Sequence, residues 1–141
     1  MLVELAVGVI LAGLTILVGE ALPFTLPFKN YRKFYATALI IAALVYVYFS
    51  SLSQNGTWIL TEIIGVIIFS IIALLGVKYS FWFLAIGWFI HPIWDLLIDN
   101  HSLTIFVPRW YPIICIGYDI VIGSYIAFKC IVEQKNSLFI D

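Results

Sequence analysis

The chain has 141 residues, of which 64% are hydrophobic and 11% charged, with a formal net charge of −1 and a mean hydropathy of +1.12. A soluble domain is about half apolar and a quarter charged, so these proportions exclude a fold that must cover itself in water. No basic tract invites nucleic acid, and the length suits a single domain over residues 1–141.

Hydropathy divides the chain into five spans, expected at about 2–22, 34–52, 58–77, 81–98 and 110–132. The first has no basic stretch ahead of it, which argues against a cleaved signal peptide. Gly8, Ala12, Thr15 and Gly19 recur along it at helical spacing, the ordinary mark of a surface where two helices approach closely. Pro23 and Pro27 end it, and Lys29, Arg32 and Lys33 are expected in a basic loop. The second span has no charge and reads as a packing or lipid-facing helix. A polar turn around Gln54-Asn55-Gly56 leads into the third, which carries Glu62 about one turn inside. A carboxylate there could cap the helix start or belong to a site. After the turn Gly76-Val77-Lys78-Tyr79-Ser80 comes the fourth span.

That fourth span holds Trp88-Phe89-Ile90-His91-Pro92-Ile93-Trp94-Asp95, followed by Asp99. His91, Asp95 and Asp99 are each four residues apart, so on a helix they fall within an arc of about 80° over about 12 Å. Pro92 cannot donate a backbone hydrogen bond and disturbs the preceding turn, either as a packing kink or by freeing a carbonyl beside His91. The connection to the fifth span contains Val107-Pro108-Arg109-Trp110-Tyr111-Pro112, with aromatic residues suited to a membrane interface. Cys115 and Asp119 share a face of the fifth helix, with Gly123 one turn on, and a polar tail runs from Glu133 to Asp141. Cys115 and Cys130 would lie about 22 Å apart on that helix and could not form a disulfide with each other.

The expected fold is all-α: an integral membrane bundle of five transmembrane helices, since spans of this length cross a core of about 30 Å and no alternating barrel strands occur. Lys29, Arg32, Lys33, Lys78, Lys129 and Lys135 fall on one side of the membrane and Arg109 on the other. Basic residues favour the cytoplasm, which puts the N-terminus outside, the C-terminus inside, and the protein in the cell membrane as a multi-pass chain.

Six of the eight acids lie within or at the margins of the spans: Glu4, Glu20, Glu62, Asp95, Asp99 and Asp119. Intramembrane carboxylates face a bundle interior or cavity and find partners, yet the deep basic candidate is His91. The orientation places Glu62, Asp95, Asp99 and Cys115 in the outer half, His91 and Asp119 near mid-depth, and Glu20 on the cytoplasmic side. The reading is an outward-opening polar site in which His91, Asp95 and Asp119 carry acid-base or metal-assisted chemistry on a lipophilic substrate. His91, Asp95, Asp99, Cys115 and Asp119 are the candidate ligands for a divalent metal ion, with Glu62, Trp88 and Trp94 contributing. A structural hydrogen bond between helices is the plain alternative for His91 and Asp95; solvation explains Asp99 and His101, and burial as a small apolar group explains Cys115. Two other functions stay open. One is proton or cation transport, against which the inner halves of the spans offer only Glu20. The other is a non-catalytic accessory role within a homo-oligomer or larger membrane complex.

The stretch Gly87 to Asp95, with Val107 to Pro112 and then Cys115 and Asp119, resembles an uncharacterised family of small multi-pass bacterial membrane proteins. That family shows a histidine, an aspartate four residues on, a His-His pair, and a Pro-aromatic stretch before Cys and Asp. The resemblance covers about the last 60 residues. This chain departs from it at Ile98-Asp99, where Asp99 stands in place of one histidine. The resemblance implies a polar site within the membrane and no particular reaction.

Overall fold

A computed structural model describes residues 1–21, 29–53, 55–101 and 107–137, and their side chains except at 29, 30, 98–101, 136 and 137. The described residues form five helices and no strand: α1 (Leu2–Ala21), α2 (Lys29–Leu52), α3 (Gly56–Lys78), α4 (Trp82–His101) and α5 (Trp110–Ser137). Four of them, α1, α2, α3 and α5, are long and apolar enough to cross a membrane. The apolar part of α4, Trp82–Leu97, is shorter and lies against α3 and α5 and, more lightly, α2. The bundle is apolar on its outside as well as its inside: Leu14, Leu17, Ile41, Ile67 and Leu74 are all exposed. Such a surface is stable against hydrocarbon, where apolar exposure carries no penalty.

Three helices extend clearly beyond their expected ends. The basic loop expected around Arg32 and Lys33 is instead the start of α2, α4 runs on to His101, and the polar tail expected from Glu133 continues α5 to Ser137. Near these ends of α2 and α5, Arg32 pairs with Glu133 at 3.7 Å and stands 5.5 Å over the ring of Phe81. At the other end, α3 starts at Gly56 because Asn55 caps it, its side-chain oxygen accepting from Thr57 N at 3.0 Å. Asn55→Ala is expected to cost about 1 kcal/mol of stability, read as a small fall in melting temperature of the detergent-solubilised protein.

α1 packs on α5, α2 on α3, and α4 fills the centre between α3 and α5. The α1–α5 crossing depends on two glycines. A methyl group at Gly8 would strike the backbone at Ile114 and Tyr118, and one at Gly117 would come within 2.5 Å of Leu5 O and 3.3 Å of Val9 N. The backbones thus touch directly, the close approach that small residues permit in membranes. Gly8, Ala12 and Gly19 are the buried positions of α1. Thr15, on the same stripe, accepts a hydrogen bond from Tyr118 Oη at 3.0 Å. By contrast α1 and α2 barely touch each other, so a furrow runs between them.

Candidate functional site

His91 and Asp95 stand one turn apart on α4, and Asp119 faces them from α5. Each of the three is only 1% exposed. His91 Nδ1 and Asp119 Oδ2 share a hydrogen bond at 2.9 Å, and Asp95 Oδ2 lies 3.6 Å from the same nitrogen, too far for a good hydrogen bond. Among the described residues neither oxygen of Asp95 has a hydrogen-bond partner. No lysine or arginine is among the groups that act on these three side chains. The cluster therefore holds two carboxylates against one imidazole.

Aromatic rings wall the imidazole in. Phe69 lies with its ring centre 4.9 Å away, and Tyr46 and Trp88 each at 6.5 Å. Glu62 enters from α3, 2% exposed, its Oε2 receiving Trp94 Nε1 at 3.5 Å while its Oε1 has no partner among the described residues. No acid lies in the first turn of α3, so Glu62 is an interior side chain and not a cap. Gly65, one turn further on, gives Trp94 its place: a methyl group there would sit 2.9 Å from the indole nitrogen. Tyr46, Glu62, Phe69, His91, Trp94 and Asp95 enclose a crevice too tight for a water molecule as it stands.

The other side of the site is open. Asp119, Cys115, Tyr111 and Tyr118 line a furrow whose walls are apolar residues of α1, α2 and α5. The site is thus bounded by a tight polar crevice toward α3 and an apolar furrow toward α1 and α2.

Of the residues singled out from the sequence, the structure brings together His91, Asp95 and Asp119, whose potential ligand atoms lie within 4.8 Å of one another. Glu62 and Trp94 sit beside them along the crevice. Trp88 is fully buried, its ring 5.6 Å from that of Tyr118. Cys115, buried one turn from Asp119, packs with Tyr46, Val107 and Tyr111 and lies outside the three-residue group. The side chains of Asp99 and His101 are outside the described residues. Glu20 is held at the far end, accepting from Tyr125 Oη and pairing with Lys129 at 3.0 Å.

Tyr46 is the neighbour that sequence reasoning passed over. It is 1% exposed, its hydroxyl has no partner among the described residues, and Asp95 and Cys115 are its nearest charged or polar influences. Its span has no ionisable acid or base in its middle, and Tyr48 two residues on is exposed. A buried hydroxyl in a run of membrane tyrosines has no local signature.

Neither a curated protein nor a solved structure matches the chain. A family model does match, over residues 3–131: that of DUF6010, a family of unknown function. The match takes in all three residues of the His-Asp-Asp group and most of every helix, and the chain belongs to the DUF6010 family.

Proposed function

We propose that this is a multi-pass protein of the cell membrane, N-terminus outside, in which His91, Asp95 and Asp119 bind a divalent cation for chemistry on a lipophilic substrate. The observation that carries this reading is Asp95: a carboxylate buried to 1% exposure with no hydrogen bond of ordinary geometry among the described residues, its polar neighbours being His91, the Tyr46 hydroxyl and the Cys115 thiol. An unsatisfied buried polar group costs about 1–3 kcal/mol, more when charged, and hydrocarbon offers no water to relieve it. A doubly charged cation would balance two carboxylates and leave the imidazole neutral as its third ligand.

The donor set fits. One nitrogen and two carboxylate oxygens suit zinc, manganese or non-haem iron. With ligands about 2.1 Å from the ion, neighbouring donors stand about 3–3.4 Å apart. The ligand atoms now lie within 4.8 Å of one another, so a bound ion would draw the two carboxylates closer together. Both carboxylates approach the same ring nitrogen, His91 Nδ1, Asp119 at 2.9 Å and Asp95 at 3.6 Å, so a cation seated there would take the place of the proton between them, with Asp119 a ligand beside the imidazole. Bound there, the ion would supply Lewis acidity toward an oxygen of the substrate. The surrounding rings of Phe69, Trp88 and Tyr46 keep bulk water from the same space. Glu62, beside the crevice, is placed to accept or return a proton.

Elemental analysis of the detergent-purified protein tests the proposal. The expected result is about one zinc, manganese or iron per chain, with affinity falling at least about tenfold in Asp95→Asn while helicity and melting temperature hold. A wild-type protein that neither carries nor takes up any of these ions on titration would sink it.

A further inference from the structure

The furrow between α1 and α2 has walls, a floor and a direction. Leu11 of α1, Ile41 of α2 and Ile114 of α5 form its sides, and Ala38 and Ala42 keep it wide where larger residues would close it. Its volume is about 310 Å³, at the small end of the roughly 300–1,000 Å³ range of ligand sites. A second hollow of about 340 Å³ continues past Leu11 and Tyr118 toward Val18 and Phe34. From Phe34 to Val45 the two together follow α2 for about 16 Å. The floor is the polar part, where Asp119, 1% exposed, lines the furrow on the side away from the tight crevice.

We propose that this furrow admits a single-chain, uncharged lipid with a hydroxyl end, sideways from the membrane, and seats that end at Asp119. Three features choose this occupant. The outer walls are apolar and face hydrocarbon, so an alkyl or isoprenoid chain enters without losing solvation. The two hollows, of about 310 and 340 Å³, are of a size for one chain and too small for both chains of a phospholipid. Its floor offers a carboxylate, tyrosine hydroxyls and a thiol, with no lysine or arginine among its lining residues. In the chain without a bound cation an anionic head would meet like charge there, whereas a hydroxyl donates to the carboxylate. The assignment rests on reading Asp119 as part of the reactive site, and it names the substrate class that such a site would take.

The test uses the full chain, its cation content first measured and then removed with a chelator, reconstituted in phosphatidylcholine vesicles with a sixteen-carbon alcohol carrying a photoactivatable diazirine at mid-chain. On illumination the carbene inserts into neighbouring C–H bonds, releasing nitrogen, and labelled positions are mapped by mass spectrometry. Labels are expected to concentrate on Val45, Ile114 and Tyr118, half-buried residues that line the furrow, over the lipid-exposed Ile67 and Ile71 of α3. Ala42→Phe, or Ala38→Phe if the first variant does not fold, is expected to lose the furrow labels while retaining those on α3. Unlabelled hexadecanol is expected to compete better than hexadecane or palmitate. Labels spread evenly over all helices, or left unchanged by both variants, would overturn the furrow. Equal competition by hexadecane or palmitate would overturn the seating of the hydroxyl at Asp119. Cation content of the same variants separates the two proposals: loss of labels with cation retained supports the furrow alone. Retained labels in a chain that binds no ion would leave the furrow standing and remove the cation reading.

Discussion

Gly117→Leu is expected to loosen α1 from the bundle and produce a large loss of stability. Overpacking a core typically costs about 1–3 kcal/mol, because side chains can shift to absorb the added atoms. Here the obstacle is the backbone of α1, with Leu5 O at 2.5 Å and Val9 N at 3.3 Å from the new Cβ. A backbone cannot change rotamer, so the helices must separate, and the cost should reach or exceed the top of that range. Gly13 supplies the control on the partner helix, since nothing lies within 4 Å of a Cβ there. Gly13→Leu should melt close to wild type in detergent, and Gly13→Ala should stabilise by up to about 1 kcal/mol through helix propensity. Equal melting temperatures for Gly117→Leu and Gly13→Leu would show that the α1–α5 crossing is not as close as described. Because α1 also forms one wall of the furrow, Gly117→Leu should weaken lipid labelling as well.

The second large effect concerns the pair His91 and Asp119. Removing one member of a buried, hydrogen-bonded ion pair strands the other, at a cost of about 3–5 kcal/mol. His91→Ala and Asp119→Ala should each destabilise strongly, and the double variant by much less than their sum. A double-mutant cycle should return a coupling of about 1–3 kcal/mol, in line with the 2.9 Å contact. Asp95 should behave differently. Its oxygens have no hydrogen-bond partner among the described residues, so Asp95→Asn breaks no such bond and should leave the melting temperature near wild type or raise it. A stable Asp95→Asn protein that no longer binds a cation is the signature of a residue kept for a ligand. If Asp95→Asn instead unfolds the chain, the cluster serves as glue between helices, as expected of an accessory subunit.

The two effects also separate scaffold from site. Gly8 and Gly117 set where α1 stands, and hence how wide the furrow is. His91 and Asp119 set the relation of α4 to α5, and Asp95 is free to answer a ligand. Stability should follow the first two pairs, and ligand binding should follow Asp95.

Several of these features are legible in the amino-acid sequence. The carboxylates of the fourth and fifth spans stand out because a charge in a 20-residue apolar run has no local explanation. The four-residue step from His91 to Asp95 places them on one helical face, and both are buried together. The small residues of α1 announce a close helix contact, and Gly8 makes one. Other features leave no such trace. Nothing local says that Gly8 meets α5 and not α2. Nor does it say that Arg32 and Glu133, 101 positions apart in the chain, meet. Position alone suits Glu62 equally to a helix cap, and only its contact with Trp94 turns it inward.

By itself, then, the sequence determined the membrane-spanning character, the number of helices and the identity of the unusual polar residues. These follow from hydropathy and helical period, which are properties of each segment alone. The tertiary structure decided which helices are neighbours, and so which polar groups meet: His91 with Asp119 across 28 positions, Glu62 with Trp94 across 32. It also decided that Asp119 borders a furrow. In a membrane the outer and inner surfaces of a bundle are equally apolar, so hydropathy cannot say which face of a helix turns inward. Close packing at small residues and the pairing of buried polar groups make that choice, and both depend on partners far away in the chain.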